Sequence, residues 1–321
     1  MQVAGRRIDG HAHVASTHFI PKDFLLGVAR NMLAKVAQRA RVANETEVMR
    51  HLEAQHQDHH ADQLVAEMDR AGIARTVLLL PDFTMTLPCE LDIAEMAARH
   101  HAIRRRHPGR FHVFQGVDPR RGAEGVRFFE HTVCEYRFEG LKLYPPCGYS
   151  PSDPCLFPFY EICAAYRLPV LFHSGPTSPV LSFGFSQPNL VDEAALRFPG
   201  VNFIIAHGGV NNVEEAAMLC AYRPNVYLDI SGFTTSLHPQ GWQGQLRDLF
   251  RMKINHKIIF GTDWPLARST GTLQQAIDLL LATDGPLQGV PAHEINSIMG
   301  GCMNHLLPPL REISRSASAA V

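Results

Sequence analysis

Four short stretches, far apart in the chain, carry side chains that ligate metals. They are Asp9-Gly10-His11-Ala12-His13, Phe172-His173-Ser174, Ala206-His207-Gly208-Gly209 and Gly261-Thr262-Asp263-Trp264-Pro265. Imidazole nitrogen together with carboxylate oxygen suits a divalent ion such as Zn, Fe or Mn. His11 and His13 are two apart, so on a strand both rings point to one face. A lone His-x-His is a weak signal. Here each stretch ends a short apolar run, and three further polar strand ends accompany the pair. A bound ion polarises carbonyl oxygens and lowers the pKa of water, so the chemistry within reach is hydrolysis or a related reaction at a carbonyl or carboxylate.

Distant ligands meet only if the fold brings strand ends to one point. Eight strand candidates can be read, at 6–9, 76–80, 111–117, 140–143, 170–172, 202–205, 226–230 and 257–260. Most are β-branched or aromatic runs with few charges, as expected of strands covered on both faces. Helical patterns separate them at 58–71, 90–107, 123–136, 157–166, 190–198, 213–222, 244–252 and 272–282. Strand then helix, eight times, predicts a single-domain α/β fold, the (β/α)8 TIM barrel, over residues 1–313. In that barrel the ends of strands one, five, six and eight converge; an open doubly wound sheet would keep them apart. Two connections are long. Residues 14–57 form an insertion after strand one, with Phe24, Leu25, Val28, Met32, Leu33 and Val36 at roughly helical spacing. Residues 175–189 follow strand five and contain Phe183 and Phe185. Both lie on the catalytic face, either as lids and pocket walls or as packing for a second subunit. The Ser/Ala-rich tail, 314–321, is expected to be disordered.

Composition narrows the partners. A net charge of −1 gives no basic excess for nucleic acid or a membrane surface. No apolar run reaches the ~20 residues of a membrane span. The start, Met1–Asp9, lacks the apolar core of a signal peptide, so a cytoplasmic location is expected. Seven cysteines without a Cys-x-x-Cys pair argue against disulfides and a zinc-thiolate site. A small-molecule substrate and a homodimer are the expected partners.

The Asp-x-His-x-His of strand one, the His of strand five, the His-Gly-Gly of strand six and the Gly-Thr-Asp-x-Pro of strand eight resemble the amidohydrolase superfamily. Within it they are most similar to the branch that holds aminocarboxymuconate-semialdehyde and resorcylate-type decarboxylases beside many hydrolases. Met68-Asp69-Arg70-Ala71-Gly72-Ile73 resembles the helix ahead of strand two in that branch. The segment 294–306 resembles its last helix, though the usual Asn-Ala reads Cys302-Met303-Asn304. The resemblance implies His11, His13, His173 and Asp263 as ligands, with His207 as a second-metal ligand or a general base. It also singles out Lys142, in Gly140-Leu141-Lys142-Leu143-Tyr144. In two-metal members a lysine at this place is carboxylated and bridges the ions, whereas the decarboxylases generally lack it. An ordinary ammonium has no lone pair to offer a cation. It would instead pair with an anion, from the protein or from an acidic substrate.

Two chemistries follow. As a hydrolase, the first reading, His11, His13 and Asp263 hold one ion, His173 and His207 the other, and carboxylated Lys142 bridges them. A metal-activated hydroxide then attacks an ester, thioester, amide or lactone carbonyl of a bulky or aromatic substrate, and Asp263 carries the proton to the leaving group. As a decarboxylase or hydratase, the alternative, one ion sits on His11, His13, His173 and Asp263, and His207 is a free acid or base. A scaffold protein that merely binds metal is the competing class, and the full ligand set argues against it. Asp9 is expected to bond a ligand histidine. Trp264 and Tyr144 either wall the pocket or pack. Arg120, Arg121 and Arg268 either bind a substrate carboxylate or sit solvated. His56, His59 and His60 are expected on a solvent-exposed helix face.

Overall fold

The computed structural model describes residues 7–37, 44–234 and 241–308. Eight strands alternate with helices: β1 (Arg7–Ala12), β2 (Ile73–Leu80), β3 (Phe111–Gly116), β4 (Gly140–Leu143), β5 (Val170–Phe172), β6 (Phe203–Ile205), β7 (Val226–Asp229) and β8 (Ile258–Ile259). They form one parallel sheet in the order β1 to β8. Beyond β8 the chain continues alongside β1 and parallel to it. The Gly10 N–H donates to the Phe260 carbonyl at 2.8 Å, Asp263 N–H to His11 at 2.8 Å, and His13 N–H to Trp264 at 2.7 Å. These bonds close the (β/α)8 barrel and lay Asp263 beside the two histidines of β1.

The barrel axis is filled by Ile8, Val77, Leu79, Phe114, Leu171, Ile204 and Ile259, joined by Met303 and Leu306 near the end of the described chain. Burying each such side chain is worth ~1.5–3 kcal/mol. Alternation carries the inward face upward: Leu171 is followed two residues on by His173, and Ile259 by Gly261 and then Asp263. β1 does not keep that period. Register shifts between Arg7 and Ile8 and between Asp9 and Ala12 put Ile8 in the axial cluster and Ala12 in the outer one. The strand also continues through His11 to Ala12, past its expected end at residue 9.

Two helices fill most of the insertion, α1 (Lys22–Ala37) and α2 (Glu45–Gln55). They share a small core of Leu25, Ala29, Met49 and Leu52, and a bridge between Ser16 and Gln57 ties its base. The Phe24 ring lies 5.3 Å from Phe83, after β2, and 6.4 Å from Tyr144, after β4. Ser178, after β5, donates its hydroxyl to the Phe24 carbonyl at 2.8 Å. The insertion therefore packs on loops at the C-terminal mouth. Phe183 and Phe185 of the second loop are 49 % and 37 % exposed, so they are not pocket walls in this structure. The 314–321 tail lies outside the described residues. All seven cysteines are free, and among the described residues no helix is long and apolar enough to cross a membrane.

Candidate metal centre

His11 and His13 leave β1 with their rings fixed from behind. His11 Nδ1 donates to Asp229 Oδ2 at 2.8 Å, and His13 Nδ1 donates to the Leu79 carbonyl at 2.8 Å. Each Nε2 then presents a lone pair to the mouth, and each lies 3.5 Å from the same Asp263 oxygen, Oδ1. The three donors form one group within 4.8 Å. His11 Nε2 is buried and has no hydrogen-bond partner among the described residues. Two ligand atoms about 2.1 Å from one ion at a tetrahedral angle stand about 3.4 Å apart, so the spacing fits a single divalent cation. The charge state fits too. Burial lowers the His11 pKa, and Asp229 restores only part of the loss. Burial alone would raise the Asp263 carboxyl, but His13, His207 and His11 around it hold it far below the usual range. Neutral imidazoles and an ionised carboxylate are what a metal requires.

The backbone is bent to reach this geometry. His207 and Asp263 hold left-handed φ values of 58° and 56°, which cost of order 1–3 kcal/mol each. Hydrogen bonds hold them there: His207 N–H to Asp229 Oδ1 at 3.0 Å, and Asp263 N–H to the His11 carbonyl. Gly261 is required for space. A Cβ there would lie 2.9 Å from the Cβ of His11 and 3.1 Å from that of Ser231.

Asp229 and Ser231 are site residues that the sequence reading passed over. Asp229 is fully buried at the end of β7. Its Oδ1 accepts from the amides of His207 and Ser231 and from the Ser231 hydroxyl, and its Oδ2 accepts from His11. Burial would raise its pKa, but His11, His207 and Ser231 outweigh that and hold the carboxyl ionised. The group His11, His207 and Asp229 is thus a hydrogen-bonded support rather than a second set of free ligands. The signal lay in Leu228-Asp229-Ile230-Ser231: a carboxylate within an apolar strand must find a partner. Asp9 bonds a ligand histidine as expected, but through the backbone of His11 and not its ring. It accepts from the His11 amide and from Thr262 N–H and Oγ1, and touches no ligand ring. The ring bond is made by Asp229. Burial lifts Asp9 to about 7 against the pull of Thr262 and His11.

His173 stands apart from the three-donor group and faces His207, Nδ1 to Nε2, at 3.3 Å. The other nitrogen of each ring faces a carbonyl, Pro176 for His173 and Ser231 for His207. Each outer nitrogen therefore carries the hydrogen, and two lone pairs look at each other across the gap. Burial, with Asp263 opposing it, brings His207 down to about 4. Burial, His207 and Lys142 depress His173 further.

Lys142 is 1 % exposed, and its Nζ has no hydrogen-bond partner among the described residues. Tyr144 is a wall: it stacks on His173 at 4.5 Å, meets Phe83 edge-on at 4.8 Å and bonds Thr177 at 2.6 Å. Trp264 is buried, with the Arg268 guanidinium 5.0 Å over its ring. Arg120 and Arg121 are committed to buried carboxylates, Asp118 at 2.8 Å and Asp82 at 2.7 Å. His59 bonds Ser16 at 2.7 Å. His56 is half-buried at the end of α2 and feels the charge of His13 and Arg268, so it borders the mouth instead of facing solvent.

Several solved structures share this fold. An uncharacterised TIM-barrel protein from Bordetella bronchiseptica has 17 % identity and a TM-score of 0.65, covering 94 % of this chain and 97 % of its own. A dihydroxybenzoic acid decarboxylase from Polaromonas, with bound manganese and the inhibitor 2-nitroresorcinol, has 17 % identity and a TM-score of 0.63 over 93 % and 96 %. A 5-carboxyvanillate decarboxylase from Sphingomonas paucimobilis has 16 % identity and a TM-score of 0.59 over 94 % and 98 %. Among curated proteins no relative matches. The amidohydrolase family model matches residues 8–301, so a barrel with metal-type donors at its mouth and a sequence that fits the family throughout belong together: the chain is a member of the amidohydrolase family.

Proposed function

We propose that this enzyme is a metal-dependent lyase that removes carbon dioxide from an aromatic or unsaturated carboxylic acid. The observation that carries the reading is the convergence of His11 Nε2 and His13 Nε2 on one Asp263 oxygen, with His207 outside that group. The decarboxylases among the structural relatives support the reaction class, and the manganese in one of them makes Mn2+ the first ion to test. His11, His13 and Asp263 would hold the ion, with His173 outside that group and against His207. When bound, the ion would supply positive charge that stabilises the negative charge of the acid.

The chain's own residues do the rest. Asp229 and Leu79 lock the tautomers of His11 and His13. Phe24, Phe83 and Tyr144 wall the mouth and exclude water from a planar substrate. Ser231 holds His207 Nδ1 at 2.8 Å, which leaves Nε2 free to move a proton. His207 Nε2 would take a proton from solvent and pass it to the ring carbon; the bond from that carbon to the carboxylate breaks with its electron pair left on the ring carbon, and carbon dioxide leaves. The test is carbon dioxide release from a panel of hydroxybenzoates and 5-carboxyvanillate by the Mn2+-loaded chain and by the chelated chain. Metal-dependent release is expected. Hydrolysis of esters or lactones with no release from any acid sinks the reading.

One observation favours a second reading. The opposed lone pairs of His173 and His207 at 3.3 Å suit a second cation, and carboxylated Lys142 would bridge it to the first. That is the two-ion hydrolase of an ester, thioester, amide or lactone. Two ions per chain, falling to one or none in Lys142→Ala, would establish it; one ion in both forms removes it.

A further inference from the structure

The other buried cations among the described residues are paired. Arg104 meets Glu139 at 2.7 Å, and Lys257 donates to the carbonyls of Cys220 and Arg223 at 2.7 and 2.6 Å. Lys142 breaks that pattern. It is as buried as any of them, yet its Nζ reaches no acceptor among the described residues. A charge left so is costly unless something anionic completes it.

Its position says what that something is. Lys142 pairs with Leu171 on β5, and Leu171 belongs to the axial cluster, so the lysine also points to the axis, at the level where the site begins. Asp229 and Asp263 bear on it electrostatically but lie beyond hydrogen-bond reach. The Tyr144 ring centroid is 5.8 Å from Nζ, and that ring continues the wall of Phe83 and Phe24. A planar acid lying along this wall would bring an anionic oxygen to the ammonium.

We propose that Lys142 is a specificity-determining residue that takes a carboxylate or phenolate oxygen of the substrate, so that the site selects acids over their neutral isosteres. This rests on the reading of the substrate as an aromatic acid, and it narrows that class to anions held by the metal and the lysine together. Three ammonium protons, with no acceptor among the described residues, are free for such oxygens.

The test is isothermal titration of the full-length, Mn2+-loaded protein with 2-hydroxybenzoate and with 2-hydroxybenzamide, in the parent, Lys142→Met and Lys142→Arg, with metal content measured in each. The parent is expected to prefer the carboxylate. Lys142→Met should weaken it by roughly 10- to 150-fold, leave the amide within about twofold, and keep the parent's metal content. Lys142→Arg should restore part of the preference. Equal weakening of both probes, no carboxylate preference in the parent, or metal loss in Lys142→Met overturns the proposal, the last because it makes Lys142 a ligand. The decarboxylase reading fails separately, when acids bind with this preference but release no carbon dioxide.

Discussion

Replacing Lys142 by methionine is expected to stabilise the metal-free protein while removing its anion preference. Burial brings the amine from an ordinary 10.5 down to about 8, with Asp229 and Asp263 opposing the drop only in part. At ~1.4 kcal/mol per pH unit of pKa difference, that is about 3 kcal/mol of destabilisation. The sign follows from which state holds the proton more weakly. Below pH 8 the folded and unfolded chains are both protonated there, and the full cost applies. Between 8 and 10.5 the folded protein sheds the proton first and the cost fades; above 10.5 it is gone. Methionine keeps most of the volume and carries no charge. An unfolding entropy of ~2.1 cal/mol/K per residue over 321 residues gives about 0.7 kcal/mol/K. Lys142→Met should therefore raise Tm by about 4 °C at pH 7, and by little at pH 10.5. Thermal unfolding followed by circular dichroism, in chelator, at both pH values measures this. A variant less stable than the parent at pH 7 would refute the reasoning, because it would mean that Nζ has a partner in the folded protein.

Asp229→Asn keeps the shape of the support but removes its charge. It should lower Mn2+ affinity by roughly 10- to 100-fold in equilibrium dialysis, and unchanged affinity would remove Asp229 from the account. Gly261→Ala places a methyl group 2.9 Å from the His11 Cβ. It should cost about 1–3 kcal/mol in urea unfolding and weaken metal binding as well; a silent substitution contradicts the packing described. Phe24→Ala removes an aromatic contact of α1 with Phe83. KM for an aromatic acid should rise roughly 2- to 10-fold at unchanged metal content, whereas loss of metal would place the insertion's role elsewhere.

The donors were legible because each sits where an apolar run stops, and a barrel turns strand ends into neighbours. Asp229 stands in the same situation, but reading 226–230 as one continuous strand hid it. The period-2 rule also failed in detail on β1, since the irregularity between Asp9 and Ala12 changes which faces Ile8 and Ala12 present. Arg121 looked free to bind substrate because its partner, Asp82, follows β2, and sequence alone does not pair charges across a barrel rim; Arg120 turns back onto Asp118, two residues before it. His56 looked solvated for a similar reason: only the folded insertion carries it to the mouth. The reaction was less legible than the centre. Substrate choice depends on loops such as 14–57 and on whether Lys142 stays an amine, neither of which is written in ligand spacing.

The central claim is that one ion is held by His11, His13 and Asp263. An anomalous difference map from a crystal soaked in Mn2+ tests it most directly. A peak about 2.0–2.3 Å from His11 Nε2, His13 Nε2 and a carboxylate oxygen of Asp263 is the expected result. A peak seated instead between His207 and Asp229, or no peak at the mouth with the protein intact, would contradict it.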